Sequence, residues 1–134
     1  MIVTERPYHP RDAYQIDAVG YLSEESKEEV QISTEAWTIC SGDTVVCIWG
    51  KLTCWDNRAA LWGVMAKESR SCMKQIFEFA HAKISKMTEL RLELQVLCGF
   101  EPGVRFAEML GFERECIMRK YSDGLDAYLY ARVL

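Results

Sequence analysis

The sequence predicts an α+β domain built on a mostly antiparallel sheet of about six or seven strands, and three stretches predict it. Residues 35–65 alternate β-branched and aromatic runs with turn signals, residues 88–96 alternate apolar and polar side chains without a break, and residues 68–87 carry an apolar stripe at helical spacing.

The first element is a short strand in MIVTERPY, which alternates weakly. Pro10 suits the first turn of a helix, where a missing N–H does no harm, and Ala13, Ile16 and Val19 follow at three-residue spacing until Gly20 ends the run. SEESKEEV (23–30) offers serines for capping and acids for a first turn, so a short second helix is expected, with little face to bury. EAWTIC, TVVCIWGKLTCW and AALWGVM are separated by the turn residues SGD and DNR, which makes them a three-strand meander. In ESRSCMKQIFEFAHAKISKM, Cys72, Ile76, Ala80 and Ile84 stand four residues apart with Met73, Phe77 and Met87 beside them, so this long helix must lie on the sheet. Ser69 is its expected cap. TELRLELQV sets Leu90, Leu92, Leu94 and Val96 on one face and Glu89, Arg91, Glu93 and Gln95 on a face expected to be solvated. EPGVRFAEMLG starts a last helix at Pro102, packs Gly103, Phe106, Ala107 and Leu110, and stops at Gly111 as a left-handed cap. FERECIMRKYS and LDAYLYARVL, joined through Ser-Asp-Gly, close the chain as a hairpin. The order β-α-α-β-β-β-α-β-α-β-β has no repeat and no linker, which predicts a single domain over residues 1–134.

Composition narrows the function. A net charge of −4 and a pI near 5.2 argue against nucleic-acid or acidic-membrane partners, which need clustered Lys and Arg. Residues 1–35 hold eight acids against three bases, so a cationic partner would meet the N-terminal third first. MIVTERPYHP lacks an apolar signal core, and no uncharged run approaches the roughly 18–20 residues that cross a bilayer. A soluble, intracellular, cytoplasmic protein is expected. Cys40, Cys47, Cys54, Cys72, Cys98 and Cys116 lie in or beside apolar segments and read as reduced core thiols. Cys40, Cys47 and Cys54 recur every seven residues, but there is no C-x-x-C pair and His9 and His81 are distant, so no metal site is expected. Of Trp37, Trp49, Trp55 and Trp62 in the meander, at least two are expected in the core, and exposed ones would suit an anchor surface.

The element order, together with ELRLELQV and RFAEMLGFERECIMRKYSDGLDAYLYARVL, resembles the GNAT superfamily of acyl-CoA-dependent N-acetyltransferases. The resemblance implies an α/β sandwich, a mixed twisted sheet with helices on both faces, and acetyl-CoA in a splayed opening between AALWGVM and ELRLELQV. Val64 and Met65 would then meet the pantetheine, and Lys67, Ser69, Arg70 and Ser71 would surround the pyrophosphate at the start of the next helix. The family's glycine-rich phosphate loop is replaced by VMAKESRSCMKQ, which has no glycine. The tyrosine that protonates the departing thiolate, commonly five residues before the Phe of LGF, is Ala107, and the Asn that often opens this region is Phe100. Tyr121, Tyr128 and Tyr130 read as sheet residues of the final hairpin. Transfer to an amine calls for a carboxylate base, for which Glu93 and Asp56 are the candidates, and Cys98 could form a thioester.

The short length, the glycine-poor loop and the RF helix without tyrosine are similar to small GNAT-like proteins of tailed bacteriophages, including a short internal virion type. That similarity implies a virion or host protein as partner, in the virion or the host cytoplasm. Two functions stay open. One is a binding module with weak or absent acetyl-CoA affinity; the other is an active N-acetyltransferase whose acidic N-terminal helices attract a cationic amine.

Overall fold

The computed structural model describes residues 2–16 and 35–134. Seven strands hydrogen-bond in the order β1-β2-β3-β4-β5-β7-β6. They are β1 (Val3–Pro7), β2 (Glu35–Ser41), β3 (Thr44–Trp55), β4 (Arg58–Met65), β5 (Arg91–Leu97), β6 (Glu113–Ser122) and β7 (Leu125–Val133). The helices are α1 (Asp12–Gln15), α2 (Met73–Ile84), preceded by a 3-10 turn over Lys67–Cys72, and α3 (Glu101–Met109). β4 and β5 run parallel, whereas β1–β2, β2–β3, β5–β7 and β6–β7 pair antiparallel. The mixed, mostly antiparallel α+β architecture is therefore the one the sequence predicts. Two compact units make it up, Met1–Leu52 with Trp62–Lys86, and Thr53–Leu61 with Met87–Leu134.

In the first unit the meander buries Val45, Val46, Cys47, Ile48 and Trp49 in succession. A continuous apolar run of this kind fits a strand covered on both faces. Two buried acids organise what surrounds it. Asp12, fully buried, receives two hydrogen bonds from the Arg6 guanidinium at 2.8 and 2.9 Å, one from the His9 N–H at 2.9 Å and one from the Thr38 hydroxyl at 2.7 Å. Arg6 and Thr38 are partners in the β1–β2 register, so Asp12 docks α1 on both strands at once. Glu5 accepts from the Trp49 indole at 2.9 Å and pairs with Lys83, which ties β1 to β3 and to α2. Lys83 also lies 5.1 Å from the Trp37 ring, which packs on Trp49 at 4.6 Å. The helical stripe is placed as expected, with Cys72, Ile76, Ala80 and Ile84 all buried.

In the second unit β5 pairs with β7 along its whole length and β7 carries β6 as a hairpin. α3 ends where Gly111 takes φ 91°, and the N–H groups of Gly111 and Phe112 return to the carbonyls of Glu108 and Ala107 at 3.1 Å. This is the left-handed cap that Gly111 announced. Tyr130, fully buried on β7, donates to Glu108 of α3 at 3.0 Å and accepts from Arg114 of β6 at 3.0 and 3.2 Å. It reads as a sheet residue, as expected, and it also fastens α3 to the hairpin.

Several expectations are corrected. The first helix stops at Gln15 because Ile16 turns extended, with ψ 130°, and Pro10 stays outside it. Val19, Gly20 and the second helix over 23–30 lie outside the described residues. β5 begins at Arg91, leaving Leu90 exposed. Glu93 is buried rather than solvated, because Arg58 and Arg91 close over it while Gln95 on the same face stays exposed. Cys54 and Cys116 are exposed, while Cys40, Cys47 and Cys72 are core thiols as expected. Of the four tryptophans Trp49 is buried, Trp62 is half-buried and packs against the core, Trp37 is half-buried, and Trp55 is 71% exposed at the end of β3.

Gly50 faces a backbone carbonyl and an indole. A Cβ there would lie 2.5 Å from the Glu35 oxygen and 2.6 Å from the Trp62 ring, so Gly50→Ala is expected to cost ~2 kcal/mol in urea unfolding. For Asp12, burial raises the carboxyl pKa, but the bonds from Arg6, His9 and Thr38 outweigh it and hold it at about 2, against an ordinary 3.8. The sign follows: this stabilisation is complete above the ordinary value and fades as pH falls toward the folded one. Asp12→Asn is therefore expected to lose ~2 kcal/mol at neutral pH, with the gap from the parent protein closing as acid is added.

Candidate functional site

Each unit carries one group of the residues singled out by the sequence. In the first, β4 ends at Met65, and the buried Ala66 donates its N–H to the Val46 carbonyl at 2.9 Å. The chain then tightens into the 3-10 turn, with the Ser69 N–H bonded to the Ala66 carbonyl at 3.1 Å. Ser69 is turned inward and the Cys72 thiol donates to its carbonyl at 3.4 Å. Neither the turn nor α2 has a side-chain cap, which corrects the expectation for Ser69: it packs instead of capping.

Lys67, Arg70 and Ser71 are exposed, together with Glu68. The Ser71 hydroxyl donates to the Glu68 carbonyl at 3.4 Å. Val64 and Met65 are half-buried, and Val64 packs against the core of Ile16, Cys40, Val45, Ile48 and Ala66. The turn thus presents two cations and a hydroxyl around one acid. Every residue from Val64 to Gln75 carries a Cβ, so the close-approach cradle that glycines give a pyrophosphate is missing.

In the second unit, Glu93 stands opposite Ala60 of β4 and Ala131 of β7, its side chain 7% exposed. Its Oε1 accepts from Arg58 Nε at 2.6 Å, and its Oε2 from Arg91 at 3.1 Å. Arg91 also forks onto Glu115 at 2.6 and 3.0 Å. Burial pushes the Glu93 carboxyl up, but the two arginines outweigh it and keep it below its ordinary value. Such a carboxylate is ionised, engaged at both oxygens, and a weak proton acceptor.

Asp56 sits in the exposed β3–β4 turn, where the Asn57 carbonyl accepts the Arg91 N–H at 2.9 Å, at the start of β5. Cys98 follows the other end of that strand, half-buried, its N–H bonded to Asp126 at 2.9 Å. The strand separates the two by roughly 20 Å at about 3.3 Å per residue, so Asp56, Glu93 and Cys98 do not converge. Ala107 is 1% exposed, and a methyl group supplies no proton. Sequence reasoning missed Arg58, whose side chain meets Glu93 only through the parallel β4–β5 pairing. It also missed the Arg114–Tyr130–Glu108 relay. The available signal was Arg91 two residues before Glu93, the spacing that puts opposite charges side by side on one strand face. Among the described residues no three His, Cys, Asp or Glu side chains gather as a metal site, and no helix is long and apolar enough to cross a membrane.

Because Glu93 is buried and twice bonded, Glu93→Gln is expected to destabilise the protein by ~2 kcal/mol at neutral pH. Its folded pKa lies below the ordinary value, so this loss should shrink as pH falls through the carboxylate range, read as the difference between urea midpoints.

No family profile and no curated protein sequence matches the chain. Solved structures do. Ard1 from Thermoplasma volcanium superposes with a TM-score of 0.81 at 16% identity, covering 98% of this chain and 97% of that one. The ribosomal-protein-S18-alanine N-acetyltransferase from Escherichia coli gives 0.78 at 19% identity, over 98% and 94% of the two chains. A GNAT family acetyltransferase from Elizabethkingia anophelis, solved with acetyl-CoA bound, gives 0.75 at 12% identity, over 98% of each. At such identities the likeness is one of architecture, and the architecture of this chain is the GNAT fold.

Proposed function

We propose that this chain is a GNAT-fold protein that acts mainly by binding another protein, with the acetyl-transfer machinery degenerate. The observation that carries the reading is the state of Glu93, whose two oxygens are taken by Arg58 and Arg91 and which is held ionised below its ordinary range. A general base must be free to accept the amine proton. Ala107 in place of the tyrosine and the glycine-free turn over Lys67–Cys72 support the same reading. Acetyl-CoA does not fit this turn as it fits a glycine cradle, so its affinity is weak or absent. Trp55, 71% exposed, supplies an aromatic anchor of the kind enriched at binding hot spots. The proposed partner is a virion or host protein, the setting implied by the resemblance to small phage GNAT-like proteins.

A second reading, an N-acetyltransferase acting on a cationic amine, draws on the exposed Lys67 and Arg70 after β4 and on the enzymes that share the fold. The acidic attraction proposed for that acceptor is narrowed by the structure, since Glu5 and Asp12 are already neutralised by Lys83 and Arg6. The acids over residues 24–29 lie outside the described residues.

Titration calorimetry with acetyl-CoA up to millimolar concentration separates the two. The expected result is no saturable heat, and no acetylated product by mass spectrometry across a panel of small amines and peptide N-termini. Saturable binding lost in Arg70→Ala, together with turnover, would establish the enzyme instead.

A further inference from the structure

β6 is the last strand of the sheet and pairs with β7 on one side only. All of its residues from Glu113 to Ser122 are exposed except the half-buried Met118. Ile117 is 56% exposed and Tyr121 50%, unusual for large apolar side chains on a strand. Glu113, Arg114 and Glu115 open the strand, Arg119 and Lys120 close it, and Cys116-Ile117-Met118 lies between.

Two of the charges on β6 are satisfied within the chain. Arg114 lies 3.6 Å from the Tyr128 ring and donates to Tyr130, and Glu115 is gripped by Arg91. Glu113 at one end and Arg119 and Lys120 at the other form no ion pair among the described residues. Glu113 and Arg119 are separated by roughly 20 Å of strand, so they cannot reach each other in one molecule.

We propose that β6 is the contact surface for a second copy of this chain, the two strands running antiparallel about a two-fold axis near Cys116, which sets Glu113 opposite Arg119 of the other copy. That symmetry sets the acidic start of each strand beside the basic end of the other and brings the apolar middle onto itself. A parallel arrangement would set like charges together. The register shifts between Arg114 and Cys116 and between Met118 and Ser122 interrupt the ladder, and Lys120 takes a left-handed φ of 51° inside the second of them. Such irregularities guard an edge against indiscriminate pairing. The partner is therefore selected by the end charges more than by a long run of backbone bonds. An extended segment of another protein could fill the edge, but nothing in it would have to mirror this charge order. The contact is independent of whether acetyl-CoA binds.

Sedimentation equilibrium over the micromolar range tests this with Glu113→Arg, Arg119→Glu and the double variant. A two-fold contact counts each substitution twice, so each single reversal should raise the dimer dissociation constant by about tenfold, and the double reversal should return it to within about threefold of the parent. In a Cys54→Ser background, a short bis-maleimide should capture a Cys116-linked dimer that Cys116→Ser abolishes. Both reversed positions are exposed, and matching thermal melts of all variants would exclude unfolding as the cause. A parent protein that stays monomeric throughout, a dimer that ignores both single reversals, or singles that the double fails to rescue would each overturn the proposal.

Discussion

A carboxylate taken out of water must be met by donors, and in this protein that requirement fixes how elements meet within each unit. Asp12, Glu5 and Glu93 are each withdrawn from solvent, and each is held by groups from separate stretches of chain. Removing one partner would leave a buried charge uncompensated, so each cluster demands that its elements arrive together. Hydrophobic burial supplies the bulk of the driving force and sets which face of a strand turns inward. The charge clusters add which residues must meet across it. Arg6 and Thr38 reach Asp12 together because their strands are paired at those residues.

The same constraint acts at Glu93, a buried carboxylate met by Arg58 at one oxygen and by Arg91 at the other. Arg91 passes the interaction on to Glu115 of β6, so the centre of the second unit is joined to its edge by a chain of charges. Tyr130 makes a parallel tie from α3 to β6 through Glu108 and Arg114. The other charges of β6, Glu113, Arg119 and Lys120, form no ion pair among the described residues.

The retained features at the end of the chain concern packing. Phe112 is buried, Gly111 turns left-handed, and Ala107 lies against the core with its carbonyl closing the cap. Those requirements are met without a tyrosine at 107 or glycines after β4. The packing of this fold therefore places no demand on either position.

The sequence by itself determined the strands, the long helical stripe, the meander turns and the Gly111 cap, because each follows from periodicity or from a backbone angle that few residues tolerate. Cys72, Ile76, Ala80 and Ile84 are buried as their spacing required. Only the tertiary structure decided which polar groups went inside. Alternation assigned Glu93 to a solvated face, and Arg58 and Arg91 placed beside it made it a buried anion. Likewise the Ser69 hydroxyl was expected to cap a helix, and the 3-10 turn drew it inward. Local patterns record which residues share a face; whether that face meets water, and which distant cation meets an acid on it, depends on neighbours that the sequence does not place side by side.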